Sequence, residues 1–202
     1  MQNSTSKVRV LTGTAMLGAV AAVLMYLEFP IPIMPAFVKL DVSELPALIA
    51  SFAYGPVSGI LVCLIKNLIK LPSTSTAAVG ELFNFVMGAL FVGVAGLIYK
   101  RNKTRKGAIV GALLGALVMA VVSVPYNYFI VYPAYVVMYH LPLDAIIGMY
   151  QAINPNVETL WDALIWFNMP FTFLKGMLSV VITFLIYKKL SPLLKGTKKL
   201  AK

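Results

Sequence analysis

Long apolar runs, separated by short polar segments, dominate the pattern of this chain. Four of them, at residues 10–28, 80–99, 107–138 and 163–189, contain few charged side chains. An α-helix needs about 20 mostly apolar residues to cross the hydrocarbon core of a bilayer. The pattern therefore predicts a membrane-spanning helix at each of these positions.

A fifth apolar region, residues 45–71, is interrupted by a Gly-Pro pair and can be read in two ways. It forms either one kinked helix or two short helices, 45–53 and 56–71. The basic residues decide between them, because cytoplasmic loops carry an excess of Lys and Arg. With the N-terminus inside, only two crossings bring both the KRNKTRK loop at 100–106 and the basic C-terminal tail inside. We therefore predict an all-α integral membrane protein with six transmembrane helices and cytoplasmic termini.

The segments between the helices on the opposite side carry most of the Pro, Ser and Asn residues. They are the outer loops 29–44, 72–79 and 139–162, which we expect to be non-helical. Binding residues concentrate in such loops when a rigid scaffold positions them. We treat residues 1–202 as a single membrane domain without internal repeats, which weighs against an inverted-repeat transporter.

Composition supports a membrane protein and argues against nucleic-acid binding. Of the 202 residues, 60% are hydrophobic and 12% are charged, about half the charged share of a typical soluble domain. The net charge of +10 comes from clusters that directly follow apolar runs, as in cytoplasmic loops. Cys63 is the sole cysteine, so neither an internal disulfide nor a cysteine-based metal site is possible, and we expect no metal.

The sequence contains no motif for an enzyme reaction. It has no phosphate-binding loop of the G-x-x-x-x-G-K-[ST] type, so we expect that this chain does not itself hydrolyse ATP by that mechanism. His140 is the only histidine, and no nucleophile stands beside a base. We predict that the protein is not an enzyme and carries no cofactor.

Four polar residues interrupt the apolar helices, where such residues are energetically unfavourable and usually functional. They are Asn84, Asn127, Asn168 and Lys175. Lys175 needs a polar partner or ligand, unless its ammonium reaches outward to the membrane interface. Asn84 and Asn127 can equally well hydrogen-bond between helices.

Aromatic residues concentrate near three of these polar side chains. Of 23 aromatic residues, 12 lie between Tyr126 and Phe173. An interfacial aromatic belt explains some of them, but not their alternation with Asn127, Asn168 and Lys175. An apolar aromatic pocket with a few directed polar groups suits a planar, hydrogen-bonding small molecule.

Small residues form two stripes at helical spacing, which let helix backbones approach closely in lipid. One stripe consists of Gly107, Gly111 and Gly115, and we expect it to pack inside the bundle. The other shares a face of the first helix and consists of Ala15, Gly18, Ala19 and Ala22. For this second stripe, internal packing and contact with another membrane subunit both remain open.

Several motifs resemble one family, the riboflavin-specific substrate-binding subunits (S components) of energy-coupling factor (ECF) transporters. The resemblance is strongest in EFPIPIMPAFVKLDVSELPALIASFAYGPVSGILVCLIKNLIK at 28–70. It continues in GELFNF (80–85), PYNYF (125–129) and MPFTFLKG (169–176). Its implications are a six-helix S component in a prokaryotic plasma membrane and riboflavin as transported substrate. Expected partners are a transmembrane coupling subunit and two ATPase subunits, with no nucleic acid.

The resemblance also implies site residues. The fifth-helix asparagine that contacts the ligand matches Asn127, and the sixth-helix lysine matches Lys175. Thr172 stands where the sixth-helix pattern usually has asparagine, and Asn168, one turn earlier, is expected to compensate. Leu40 and Asp41 of the first loop and Asn84 complete the expected ligand contacts. Ala15 and Ala19 match the small residues that contact the coupling subunit.

Two alternatives remain open at this point. An S component for another vitamin or for flavin mononucleotide would keep the architecture and change the pocket. A stand-alone secondary transporter would need carboxylates inside its helices to bind coupling ions, and the sequence places only Glu81 near such a position.

Overall fold

The computed structural model describes residues 2–35 and 38–195 of the chain, so part of the basic C-terminal tail lies outside it. Nearly all of the described residues are helical. The helices are α1 (Gln2–Tyr26), α2 (Glu44–Tyr54), α3 (Pro56–Lys70), α4 (Val79–Arg101), α5 (Arg105–Tyr126), α6 (Tyr132–Tyr139), α7 (Leu143–Gln151), α8 (Leu160–Ala163) and α9 (Met169–Lys195). A 3₁₀ turn, Leu71–Ser73, follows α3.

Five helical stretches in the described part of the chain are long and apolar enough to cross a membrane. They are Lys7–Tyr26, Pro56–Ser73, Val79–Arg101, Arg105–Met138 and Leu160–Ile186. The fold is thus an all-helical, multi-pass membrane architecture. Helix α2 does not qualify, because 11 residues at about 1.5 Å each span roughly 16 Å, well short of the hydrocarbon core.

Helices α2 and α3 form an antiparallel hairpin rather than one kinked helix. The chain turns at Gly55, whose φ of 111° favours glycine, and Pro56 then begins α3. Glu44 at the start of α2 pairs with Lys66 near the end of α3. Near the turn, a β-carbon added at Gly59 would lie 2.7 Å from that of Ser51. Residues Glu44 to Phe52 are all buried, because α1, α3, α4 and α9 surround α2.

Two short π-helical segments keep the last two long helices continuous. Asn127–Val131 joins α5 to α6, and Leu164–Asn168 joins α8 to α9. In each case a proline, Pro133 or Pro170, lies two residues beyond the segment. A proline has no N–H for the carbonyl four residues earlier, and a widened turn accommodates that loss. The π-helical segments therefore follow from the sequence, although the sequence analysis did not predict them.

The prediction that segment 139–162 is non-helical was wrong. It contains α7 and the first residues of α8. Ile146 and Tyr150, four residues apart, are fully buried, so α7 packs one face against the rest of the protein. The prolines and asparagines around α7 mark its ends and hid this spacing. In segment 29–44, the strands β1 (Phe29–Pro30) and β2 (Lys39–Leu40) pair antiparallel, Phe29 with Leu40.

The two small-residue stripes have different environments. A β-carbon at Gly111 would lie 2.8 Å from the carbonyl oxygen of Ala95, and one at Gly115 would lie 2.5 Å from that of Phe91. The glycine stripe thus packs inside the bundle, against α4.

The stripe on α1 lies along one face of the helix, as the sequence analysis predicted, but its residues do not share one environment. Gly18 and Ala22 are buried, and a β-carbon at Gly18 would lie 2.8 Å from Ile65 of α3. Ala15 and Ala19 are exposed. The approach of α3 therefore divides the stripe into an internal half and a surface half.

Candidate functional site

A cavity opens at the end of the bundle where the α1–α2 and α3–α4 connections meet α4, α5, α6 and α9. Its empty volume is about 1080 Å³, which includes space open to solvent. Six of the seven sequence-predicted ligand contacts line it: Asp41, Asn84, Asn127, Asn168, Thr172 and Lys175. Leu40 is not among the lining residues and packs instead in the apolar cluster around Tyr132 and Tyr150.

Four charged side chains meet at the floor of the cavity and are called the floor cluster: Asp41, Glu44 and Lys175, which line it, and Lys66, which pairs with Glu44 behind the lining. The Nζ atom of Lys175 donates to Oδ2 of Asp41 at 2.8 Å and lies 3.6 Å from Oε2 of Glu44. Lys66 donates from Nζ to Oε1 of Glu44 at 2.7 Å. Two lysines and two carboxylates leave the floor cluster without net charge.

These ion pairs decide between the two interpretations of Lys175 in favour of a polar partner. Its side chain is only 14% exposed and does not reach outward to the membrane interface. Its partner is Asp41, which the sequence analysis treated as a ligand contact and not as a counter-ion. The sequence analysis also gave Lys66 no role. Lys66 could have been noticed in the sequence, because it is a charged residue within an apolar helix. Glu44 lies 22 residues before it, and a helical hairpin brings two residues at that separation together.

Asp41 is held as a carboxylate. Its burial alone would raise its pKa, but the ammonium groups of Lys175 and Lys66 and hydrogen bonds from Lys175 and Ser43 outweigh that effect. The net result is a pKa below the usual range. Asp41 therefore stays ionised at neutral pH, and its charge fixes the position of Lys175.

A second set of charges, the mouth cluster, surrounds the opening: Glu28, Lys39, Lys70 and Glu81. Glu28 accepts from Lys39 at 2.9 Å and from Lys70 at 3.2 Å. Glu81 accepts from the hydroxyl groups of Thr74 and Thr76, at 2.7 and 2.9 Å. Glu81 lies seven residues, about 10 Å, before Gly88 on α4, and Gly88 is at the level of Glu44. The two clusters therefore mark opposite ends of the cavity.

The carboxylates also correct the view that only Glu81 lies near a position suited to a coupling ion. Glu44, in α2, is more deeply buried than Glu81, at 1% against 7% exposed. Lys66 and the threonine hydroxyls already bind these two carboxylates. Neither arrangement resembles an open cation site, which disfavours a stand-alone secondary transporter.

The two π-helical segments each contribute an asparagine to the cavity. Asn127, 4% exposed, begins the first segment, and its side chain makes no hydrogen bond to any residue in the described ranges. Asn168 ends the second segment. Its Oδ1 accepts from the hydroxyl of Tyr150 at 2.6 Å, and its Nδ2 donates to that of Tyr132 at 3.1 Å. Asn127 is therefore free for a ligand, whereas part of the Asn168 amide is used inside the protein.

The aromatic residues divide between the cavity and the protein surface. Tyr132, Tyr135 and Phe171 line the cavity. Trp161 stacks on Tyr128 with centroids 4.5 Å apart and is 40% exposed. The concentration of aromatic residues along the chain therefore combines a binding pocket with a surface belt, and the sequence alone did not separate them.

The chain is similar in sequence to a known protein family and to two of its members. Residues 9–187 match the family described as ECF transporter, substrate-specific component. The chain is 34% identical over 181 residues to "Riboflavin transporter RibU" of Staphylococcus aureus (strain TCH60), covering 90% of this chain and 89% of that protein. It is 33% identical over 189 residues to "Riboflavin transporter FmnP" of Bacillus subtilis (strain 168), covering 92% and 94%.

A solved structure is similar as well. It is described as "Structure and mechanism of the S component of a bacterial ECF transporter", and it matches with a TM-score of 0.73 at 34% identity. The match covers 96% of this chain and 99% of that one. The similarity therefore extends over the whole helical bundle, including the elements that form the cavity.

Proposed function

This chain belongs to the family of substrate-specific components of ECF transporters, and on that basis we propose that it binds riboflavin for uptake. Riboflavin is the transported substrate and not a cofactor. Members of this family bind substrate and are not enzymes. We propose that a transmembrane coupling subunit and two ATPase subunits supply the energy, and that the complex lies in the plasma membrane of a prokaryote.

The observation that carries this proposal is the neutral floor cluster beneath an aromatic cavity. A flavin ring is planar and uncharged and carries both hydrogen-bond donors and acceptors along one edge. Lys175 offers donors, and the carboxylates of Asp41 and Glu44 cancel its charge. A vitamin with a carboxylate would meet no excess of positive charge at this depth, and desolvating it there would be unfavourable. The floor cluster thus supports riboflavin over vitamins with a carboxylate.

Within this proposal, each predicted residue has a position from which it can act. We assign Lys175 and Asn127 direct hydrogen bonds to the ring, since both line the cavity from adjacent helices. Asn84 and Thr172 offer further polar contacts. Asp41 positions Lys175, and Leu40 supports the loop through apolar packing.

A riboflavin titration tests the proposed function. Riboflavin added to the detergent-purified protein is expected to lose fluorescence on binding, because electron-rich tyrosine rings in contact with an excited flavin quench it, and Tyr132 and Tyr135 line the cavity. Vitamins with a carboxylate should not displace it at equal concentration, and flavin mononucleotide serves as a competitor that tests the mouth cluster. Saturable binding of a carboxylated vitamin, with none of riboflavin, would contradict the proposal.

We further propose that the helices cross the membrane six times, with both termini in the cytoplasm. The α2–α3 hairpin supports this arrangement, because a chain that turns back at Gly55 returns to the side from which it came. Helix α2 is too short to cross unaided, but four other helices surround it and shield it from lipid.

Cysteine labelling tests the topology. In a Cys63→Ala background, Thr104→Cys should react with a membrane-impermeant maleimide only in inside-out vesicles, because the basic 100–106 loop is cytoplasmic. The background change is mild, since Cys63 is buried and makes no disulfide. Labelling of Thr104→Cys in intact cells would mean that the chain crosses an odd number of times before this loop.

A further inference from the structure

Asn168, Tyr132 and Tyr150 form a closed ring of three hydrogen bonds beside the cavity. The Tyr150 hydroxyl donates to Oδ1 of Asn168 and has only one hydrogen, so it must accept in its 2.6 Å bond with Tyr132. Tyr132 is therefore the donor to Tyr150, and it accepts from Nδ2 of Asn168 at 3.1 Å. Each of the three side chains both donates and accepts within the ring.

This ring of hydrogen bonds is shielded from water. Tyr132 is 1% exposed and Tyr150 is fully buried. Burial raises the pKa of the Tyr150 hydroxyl far above its usual range, so it remains a donor at any pH at which the protein functions. In a medium of low polarity such bonds are strong, and successive bonds in a cycle polarise one another. The amide of Asn168 is therefore held in one orientation.

The ring joins three separate parts of the chain. Tyr132 begins α6 just after the first π-helical segment, and Asn168 ends the second. Tyr150 comes from α7, where Ile146, one turn earlier, is fully buried and fixes the helix in place. Asn168 lines the cavity, and its Nδ2 retains one hydrogen that the ring does not use. Helix α7 is thus connected to the cavity through this amide and through Tyr132, which also lines it.

We propose that Tyr150, together with Tyr132, is a positioning residue for ligand recognition, which orients the Asn168 amide toward the bound molecule. The proposal rests on the proposed function, because the ligand used to test it is riboflavin. Tyr150 does not itself line the cavity. Its effect on binding must therefore pass through a lining residue that it contacts, either Asn168 or Tyr132, and removing the Asn168 amide separates these two routes.

A double-mutant cycle is the test. Tyr150→Phe removes one hydroxyl and keeps the ring, and it should weaken riboflavin binding by about 3- to 10-fold, in the range of one hydrogen bond. In an Asn168→Ala background the same change should alter affinity by less than about 2-fold, because the group that it orients is gone. Tyr132→Phe should also weaken binding in the wild-type background, but it does not isolate the effect on Asn168, because Tyr132 itself lines the cavity. Tyr128→Phe is the matched control, since Tyr128 lies outside the cavity, and it should leave binding unchanged.

Three results would overturn the proposal. Equal losses for Tyr150→Phe with and without Asn168 would show that the hydroxyl acts through packing. Unchanged binding in the wild-type background would show that the amide needs no support. Failure of both Tyr→Phe variants to fold would make the ring a structural element only. Failure of the proposed function is a different result, because wild-type protein would then show no riboflavin binding.

Discussion

Replacing Lys175 with methionine is expected to weaken riboflavin binding by about 10- to 150-fold, the range for loss of a charge-assisted hydrogen bond. Methionine approximates the length of the lysine stem and its apolar packing, but it has no donor for the ring acceptors. Lys175→Arg should also bind poorly, because a planar fork is larger than an ammonium and fits a different geometry. Fluorescence titration of the purified variants measures both effects.

Lys175→Met should also lower the melting temperature of the ligand-free protein. From the sequence alone, with no partner known for the ammonium, the expectation is that the ligand-free variant melts no lower than the wild type. The structure shows instead that Asp41 and Glu44 compensate it, at 2.8 and 3.6 Å. Removing one partner of a buried ion pair leaves the other charge unpaired, typically at about 3–5 kcal/mol.

A second substitution separates binding from stability. In Lys175→Met with Asp41→Asn, the stranded carboxylate becomes a neutral amide, so the melting temperature should recover. Riboflavin affinity should stay low, because the donor is still missing. Lys103→Met, in an exposed loop, is the control for the chemical change. Recovery of affinity in the double variant would mean that Lys175 serves only to neutralise Asp41.

Changing Ala15 or Ala19 to tryptophan is expected to abolish riboflavin uptake while leaving riboflavin binding near the wild-type level. Both alanines are exposed on α1, where small side chains let another helix approach closely. A tryptophan ring would hold the helices apart, and the proposed contact with the coupling subunit would not form. Uptake is measured in cells that supply the coupling and ATPase subunits, and binding is measured on the purified variants.

The same helix provides a matched control. Val20 follows Ala19 directly, so its side chain is turned by about 100° around the helix, and it is also exposed. Val20→Trp should leave both uptake and binding intact. Equal loss of uptake in all three variants would show that a bulky side chain anywhere on α1 impairs the protein. Loss of binding along with uptake in the alanine variants would mean that the two alanines pack internally.

Sequence patterns predicted the long helices well. A run of about 20 apolar residues in lipid must satisfy its own backbone hydrogen bonds, and an α-helix does so within one segment. The polar residues inside those apolar helices identified much of the lining of the cavity. Asn127, Asn168 and Lys175 were chosen because polar groups in lipid require partners, and all three line one pocket. The small residues on α1 were harder to interpret, since only the position of α3 decides which of them stay exposed.

What the sequence did not provide were pairings between distant parts of the chain. Asp41 and Lys175 are 134 positions apart, and nothing local to either residue indicates the other. Tyr150 looked like part of an outer loop, and only its burial in α7 connects it with Asn168. The mouth cluster was missed for the same reason, because Glu28 and Lys70 meet only after α1 and α3 have packed.

During biosynthesis, the Lys66–Glu44 ion pair makes it more favourable for α2 and α3 to insert into the membrane together than separately. A helix that entered lipid alone would carry an unpaired charge, at about 2.5–3.5 kcal/mol on insertion scales. Entering together, the two charges neutralise each other at 2.7 Å, and the turn at Gly55 needs no rearrangement. The ribosome synthesises Lys66 22 residues after Glu44, so the delay before the two charges can pair is short. Insertion of the whole hairpin is therefore favoured over insertion of either helix with its charge unpaired.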